Sequence, residues 1–300
     1  MRHIVYIINP ISGTGGKASL QTLIETKTKA AGIHYSIHHS VIDGDYSFLH
    51  PIIREEGVTD VVIAGGDGTI NQVLNGVRGF DIRFGIIPTG SGNGLAFSAG
   101  IPKAGEKALD IIFKGHSLLT DAFEINGRFA CMLCGLGLDA QVAHDFAKDP
   151  RRGLKTYVQK AVADFFTAKA YPFTISAGGE ELNTEAFFIS VANSNQFGNY
   201  FTIAPRASLT DGLLDIVVVT AQSKLSMLLQ TFRQVGGFNP LQESPFSNRH
   251  GGVIYFQAKE VIIKNLASAP LHIDGDPAAT EEILDIRVLP DFYKLIVPEP

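Results

Sequence analysis

The chain has 300 residues, 45% of them hydrophobic and 18% charged, with a net charge of −5 and a pI near 6.0. That length suits two domains at roughly 100–200 residues each, and the apolar fraction excludes disorder as the main state. The acidic balance argues against a dominant nucleic-acid-binding face or a polybasic membrane anchor.

Taken in order, Ile4–Ile8 predicts a buried strand ended by Asn9 and Pro10, not a signal peptide. Leu20, Leu23, Ile24 and Ala31 follow helical spacing, and Ile33, Tyr35 and Ile37 alternate as a strand. Phe48, Leu49, Ile52 and Ile53 predict a short helix, and Val61–Ala64 a second buried strand. Ile70, Val73, Leu74 and Val77 form a helical stripe, Phe84–Ile87 a strand, and Ala104–Ile112 a helix. This alternation predicts an α/β domain with an open, mostly parallel sheet.

After about residue 120 the rhythm changes. Asn126-Gly127 and Gly178-Gly179 each divide two apolar segments and predict hairpins. Further strands are expected at 213–219, 253–256, 261–263, 271–273 and 283–288, with helices near 153–168 and 223–235. The second half therefore reads as an antiparallel β-sandwich or barrel-like domain with few helices. We divide the chain at 1–123 and 124–300, with the last strand near 285–300 a candidate to rejoin the first domain. Gly236–Gly252 is rich in Gly, Pro, Ser and Asn and reads as a mobile loop. No window reaches the ~18 consecutive apolar residues of a transmembrane helix. The expectation is a soluble, cytoplasmic protein.

The two cysteines, Cys131 and Cys134, are too few for a disulfide framework. In a strand over Arg128–Cys134 their side chains would point to opposite faces, which favours buried thiols over a redox or metal pair.

Glycine, at 31 residues, exceeds the average near 7%. The first cluster, Asn9-Pro-Ile-Ser12-Gly13-Thr-Gly-Gly-Lys17, joins a strand to a helix, where backbone amides and the positive helix end suit an anion. It fits neither the Walker A nor the dinucleotide template, and a mere tight turn explains it equally. The second, Gly65-Gly66-Asp67-Gly68-Thr69-Ile70-Asn71, places a carboxylate among glycines where amides reach a polyphosphate. A helix cap would explain Asp67 but not its neighbours. The third is Pro88-Thr-Gly90-Ser91-Gly92-Asn93-Gly94. All three follow strands, and open α/β sheets bind ligands at that edge. Their convergence on one polyphosphate is the central expectation.

The N-P-x-S-G, GGDGT and P-T-G-S-G-N segments together resemble the diacylglycerol/sphingosine-type lipid kinase family, a branch of the NAD-kinase-like superfamily. The resemblance implies an ATP- and Mg²⁺-dependent kinase that phosphorylates a lipid hydroxyl. It implies nucleotide contacts from Asn9, Ser12, Gly13, Ser40, Gly65, Gly66, Asp67, Gly68, Thr69, Asn71, Gly90, Ser91, Gly92 and Asn93. The nucleotide would occupy a cleft between the domains. Gly135-Leu-Gly-Leu-Asp139-Ala is similar to a family segment whose acid meets the lipid head group. Thr210-Asp211-Gly-Leu-Leu resembles a structural Mg²⁺ segment, through Asp211 and the carbonyls of Ser208 and Leu213, although a plain turn explains the same letters. Ile273-Asp-Gly-Asp276 stands where the family has D-G-E, which makes Asp67 and Asp276 the catalytic candidates.

The basic stretch Lys148–Lys160 and the aromatics Phe165, Phe166, Tyr171 and Phe173 are candidates for headgroup contact and an apolar lipid cleft, against ordinary surface and core roles. The implied partner is a lipid at the inner membrane face through peripheral contact, with a homodimer left open and no nucleic acid. An NAD kinase or a non-catalytic nucleotide-binding module is the alternative.

Overall fold

The computed structural model describes residues 2–10, 17–149, 154–196, 202–242 and 252–299. Ser12 and Gly13, Arg151 and Arg152, and most of the 236–252 loop lie outside the described residues. The chain divides into two compact units, Met1–Thr120 with Asp291–Pro300, and Asp121–Pro290.

The first unit alternates β1 (His3–Ile8), α1 (Lys17–Ala30), β2 (His34–His39), α2 (Leu49–Glu55), β3 (Asp60–Gly65), α3 (Asp67–Gly76), β4 (Arg83–Pro88), α4 (Gly94–Ser98) and α5 (Gly105–Lys114). The strands lie in the parallel order β4-β3-β1-β2. Every residue of β1 and β3 is buried, as expected of strands covered on both faces, whereas edge strand β2 is partly exposed. Because β2 and β3 flank β1 on opposite sides, the strand order reverses between β1 and β3, the switch point at which open α/β sheets bind ligands. Lys294 and Leu295 pair in parallel with Arg83 and Phe84, so the chain terminus extends this sheet.

At the amino-terminal end of the sheet, Asp60 is fully buried and held by two cations. Arg2 Nε lies 2.9 Å from Oδ2 and Arg83 Nη2 2.8 Å from Oδ1. Thr59 Oγ1 adds a 2.6 Å hydrogen bond. A buried carboxylate is costly unless paired in this way.

The second unit contains β5 (Ser117–Ile125, entering from the first), β6 (Arg128–Ala130), β7 (Leu133–Gly137), α6 (Leu138–Lys148), α7 (Leu154–Thr167), β8 (Tyr171–Ala177) and β9 (Glu180–Ala192). There follow β10 (Leu214–Thr220), α8 (Lys224–Val235), β11 (Val253–Ala258), β12 (Glu260–Asn265), β13 (Leu271–Ile273), β14 (Asp276–Ala278) and β15 (Ile283–Ile296). The β7–β9, β8–β9, β8–β12, β9–β10 and β10–β11 pairs are antiparallel, with long β9 paired to β8 through its first half and to β7 and β10 through its second. Phe123, Phe173, Ile189, Ile216, Phe256, Ile263 and Leu284 fill the core between the layers.

Both expected hairpins form. Asn126 and Gly127 have φ of 49° and 77°, and Gly178 and Gly179 58° and 82°, the paired positive φ of a two-residue turn. Two expectations need correction. The strand predicted through Cys134 breaks at Cys131–Met132, because the amides of Cys131, Met132 and Leu133 all turn onto the Asp274 carboxylate at 2.9, 2.9 and 3.0 Å. Amides gathered on one side chain cannot also serve a strand ladder. The segment after Gly137 is helix α6, concealed in the sequence by its glycine-rich approach.

Candidate functional site

The carboxyl ends of β1, β3 and β4 are neighbours in the sheet, and the glycine loops after β3 and β4 meet there. Asn9 continues β1, its amide donating to Ala64 at 2.9 Å while Nδ2 donates to Thr69 Oγ1 at 2.7 Å. Ser40 extends β2 by donating to Ile8 at 3.0 Å. Thr89 donates to the Gly65 carbonyl at 3.0 Å, which ties the loop after β4 to the loop after β3.

Between those loops the backbones nearly touch. A Cβ on Gly90 would stand 2.5 Å from Gly66 Cα, and one on Gly66 would stand 3.0 Å from Gly90 Cα. A Cβ on Gly65 would meet the Thr69 side chain at 2.9 Å. Here glycine serves close approach, since none of Gly65, Gly66 and Gly90 has a positive φ.

The N-cap of α3 is Gly66, so Asp67 is the first helical residue and not the cap. Its Oδ1 accepts a 3.4 Å contact from the Leu95 amide at the start of α4. Asn93, in the left-handed region at φ 56°, accepts from the Gly90 amide and donates to the Gly90 carbonyl, both at 2.8 Å. The Asn93 side chain and the Gly90 amide therefore shape the loop, while Ser91 stands exposed at its tip. Gly68, Asn71 and Gly92 are partly exposed along the same rim.

In the second unit, Asp139 stands in the first turn of α6 and meets His272 of β13, Nε2 to Oδ1 at 3.0 Å. Both side chains are buried. Asp139 Oδ2 is also buried, with no hydrogen-bond partner among the described residues. Burial raises the Tyr157 hydroxyl pKa, and the Asp139 charge raises it further. His272 had no signal in the sequence beyond its place three residues before Gly275.

The predicted cation segment forms a turn strapped to a residue that the sequence reading missed. Asp121, buried in β5, accepts from the Gly212 amide at 2.7 Å, and its own amide donates to Leu209 at 2.7 Å. Asp211 accepts from Leu213 at 3.1 Å, and Ser208 Oγ from the Thr210 amide at 3.3 Å. Burial raises the Asp211 carboxyl, the Asp121 charge adds to this, and the Leu213 amide opposes it. An acid set in the strand beside apolar Ala122–Phe123 was the available clue. Among the described residues no three His, Cys, Asp or Glu side chains gather as metal ligands. A cation at Asp211 would thus draw mainly on carbonyl and water oxygens, which suits a hard ion.

Asp276 is exposed at the start of β14, whereas Asp274, two residues earlier, is buried and anchors the Cys131–Leu133 bend. Cys131 Sγ reaches Asp274 Oδ2 at 3.3 Å, and burial pushes the Cys134 thiol well up, so both cysteines are inert core thiols. Phe173 belongs to the core and cannot line an open cleft; Phe166 is exposed. In the basic stretch, Lys148 pairs with Asp145 and Lys160 with Asp149, each at 3.3 Å.

A parallel α/β unit followed by an antiparallel β-rich unit is the two-domain architecture of the NAD-kinase-like fold. Residues 3–125 match the diacylglycerol kinase catalytic domain, and residues 133–297 the YegS C-terminal NAD kinase beta sandwich-like domain. The chain belongs to the diacylglycerol kinase family and is a lipid kinase. It is 26% identical over 278 residues to the diacylglycerol kinase of Staphylococcus carnosus (strain TM300), covering 90% of this chain and 87% of that one. With the diacylglycerol kinase of Bacillus subtilis (strain 168) it shares 26% over 283 residues, 92% of this chain and 90% of the other. A crystal structure of a diacylglycerol kinase from Bacillus anthracis str. Sterne superposes with a TM-score of 0.76 at 22% identity, covering 99% and 97% of the two chains. Another structure from that strain reaches 0.82 at 23% identity with the same coverage. No helix among the described residues is long and apolar enough to cross a membrane.

Proposed function

We propose that this kinase transfers the γ-phosphate of ATP, with Mg²⁺, to the hydroxyl of diacylglycerol. The observation that carries the reading is the abutment of Gly66 on Gly90, which puts two amide-rich loops and the Asp67 carboxylate at one sheet edge. Phosphoryl transfer asks a protein mainly for positioning and charge stabilisation. Amides at the start of α3 and along the Gly90–Asn93 loop would hold the phosphates, with Asn9, Ser40, Thr69 and Asn71 at the rim. Mg²⁺ would neutralise charge on the transferring group. Asp67 would hold that ion or accept the acceptor's proton, with Asp276 the other candidate for the proton.

Asp139, oriented by His272, fits a hydroxyl-bearing head group because its buried Oδ2 still wants a donor. A structural cation at Asp211 would relieve the repulsion it shares with Asp121. Diacylglycerol is favoured as acceptor because the Staphylococcus and Bacillus relatives bear that name. Peripheral work at the inner membrane face follows from such a substrate.

The test is phosphorylation from radiolabelled ATP across diacylglycerol, sphingosine, ceramide, phosphatidylglycerol and NAD, with and without Mg²⁺. Label on diacylglycerol that depends on Mg²⁺ is expected. Label on NAD alone, or on no acceptor, would overturn the proposal.

A further inference from the structure

Helix α8 packs one side into the protein and presents an apolar stripe on the other. Its inner side is fixed: Met227 and Gln234 are buried, Gln234 Nε2 donates to the Ile203 carbonyl at 2.8 Å, and its Oε1 accepts from Asn239 at 3.0 Å. Ser223 caps the first turn by accepting from Ser226 at 3.2 Å. The outer side carries Leu225, Leu228, Leu229 and Phe232, which at 100° per residue form one continuous stripe. Leu225 is 78% exposed, Leu229 59% and Phe232 67%, and Phe238 just beyond the helix is 75% exposed. Scattered exposed leucines need no explanation, but a contiguous stripe on an anchored helix marks an interaction surface.

Charge selects the occupant. Lys224-Leu-Ser-Met-Leu-Leu-Gln-Thr-Phe-Arg-Gln-Val235 contains no acid, although the chain as a whole carries −5. Arg233 is exposed at the edge of the stripe. Lys224 turns inward, its Nζ donating to the carbonyls of Phe165 at 2.9 Å and of Ala168, and so joins the start of α8 to the end of α7. That neighbour exposes Val158, Val162 and Phe166, again at helical spacing. An outward apolar stripe with a cationic flank is the pattern of a helix lying in a bilayer interface. A second copy would oppose one Arg233 to another. We infer that the outer face of α8 docks the enzyme on an anionic lipid bilayer, with Leu225, Leu229 and Phe232 in the acyl boundary and Arg233 among the head groups.

The inference rests on the assignment as a lipid kinase, since the acceptor of such an enzyme resides in the bilayer, but its test is separate from the chemistry. The full chain is sedimented with vesicles of phosphatidylcholine alone or mixed with phosphatidylglycerol. Leu229→Glu with Phe232→Glu should weaken partitioning onto mixed vesicles by about tenfold or more, given the apolar area withdrawn. Arg233→Ala should cost about fivefold, and the difference should vanish in high salt. Activity on short-chain diacylglycerol in detergent micelles should stay unchanged.

Leu225→Ser with Leu229→Ser, which adds no charge, should show the same loss and guards against misfolding, with thermal melts compared. Wild-type indifference to vesicles, unchanged partitioning of both double variants, or a dimer abolished by them without effect on vesicles would overturn the inference. If the enzyme phosphorylated no lipid yet still bound vesicles through α8, the acceptor assignment would fail and the docking surface would stand.

Discussion

His272 holds Asp139 in a single orientation. The Gly275 amide donates to His272 Nδ1 at 3.3 Å, which leaves the ring proton on Nε2, 3.0 Å from Asp139 Oδ1. Oδ2 is buried with no hydrogen-bond partner among the described residues. Gly135 runs so close beneath that a Cβ there would lie 2.0 Å from that oxygen. His272→Phe should raise the KM for lipid by about tenfold, the worth of one hydrogen bond to a charged group. kcat should change less, and His272→Gln, which keeps an N–H donor, should recover most of the loss. A fall in kcat with KM unmoved, at saturating ATP, would remove His272 from lipid positioning.

Asp67 carries the sharpest expectation for the chemistry. Asp67→Ala should lower turnover by ~10³-fold or more, the scale of losing a charge that acts in the transition state. The fold should persist, since Gly66 and not Asp67 caps α3. Single-turnover assays with the thermal melt recorded alongside would settle this, and activity within tenfold of wild type would refute the role.

Gly90→Ala probes the loop contact itself. The new methyl would press on Gly66 backbone at 2.5 Å, and backbone cannot swing aside like a side-chain tip. Overpacking of this kind costs about 1–3 kcal/mol. Nucleotide affinity should fall along with stability, because the loops must part. Isothermal titration with ATP and urea unfolding would measure the two effects, and wild-type values in both would mean that the loops do not meet.

Asp215 should give the fold a pH signature. Burial lifts its carboxyl from 3.8 to about 6, opposed by hydrogen bonds from Gln257 and Tyr255 and aided by the Asp211 charge. The folded chain therefore keeps a proton that the unfolded chain has released. Stability from this group is complete below about pH 4 and lost as pH rises through about 6, on the order of 3 kcal/mol in all. Asp215→Asn should remove that slope, since its carbonyl still accepts from Tyr255 and Gln257 can flip to meet its amide. Urea unfolding of both proteins between pH 4.5 and 7 tests this, and parallel curves would show that Asp215 titrates normally.

The parallel sheet and both hairpins were legible because each is a local pattern. A continuously buried strand reads as an apolar run, and a two-residue turn needs residues that tolerate positive φ. The glycine loops were legible for the same reason, but their purpose was not. That Gly66 and Gly90 exist to let two backbones meet is a fact of distance. Asn93 read as a ligand contact; that its side chain also braces Gly90 was hidden, since sequence does not show where a side-chain amide turns. The Cys131–Met132 break was hidden because its cause, Asp274, is remote in the chain. Asp121 and His272 escaped notice likewise, each acquiring a role from a partner far along the sequence. Helix α6 was obscured by Gly135 and Gly137, which spoil its periodicity at the start.

The tie of Arg2 and Arg83 on Asp60 sits where β1, β3 and β4 begin, while the glycine loops sit where they end. Anchorage and chemistry are thus a strand's length apart. Sequence drift in the loops leaves the ionic rivet untouched, so this unit can vary its carboxyl-end loops without first surrendering its scaffold.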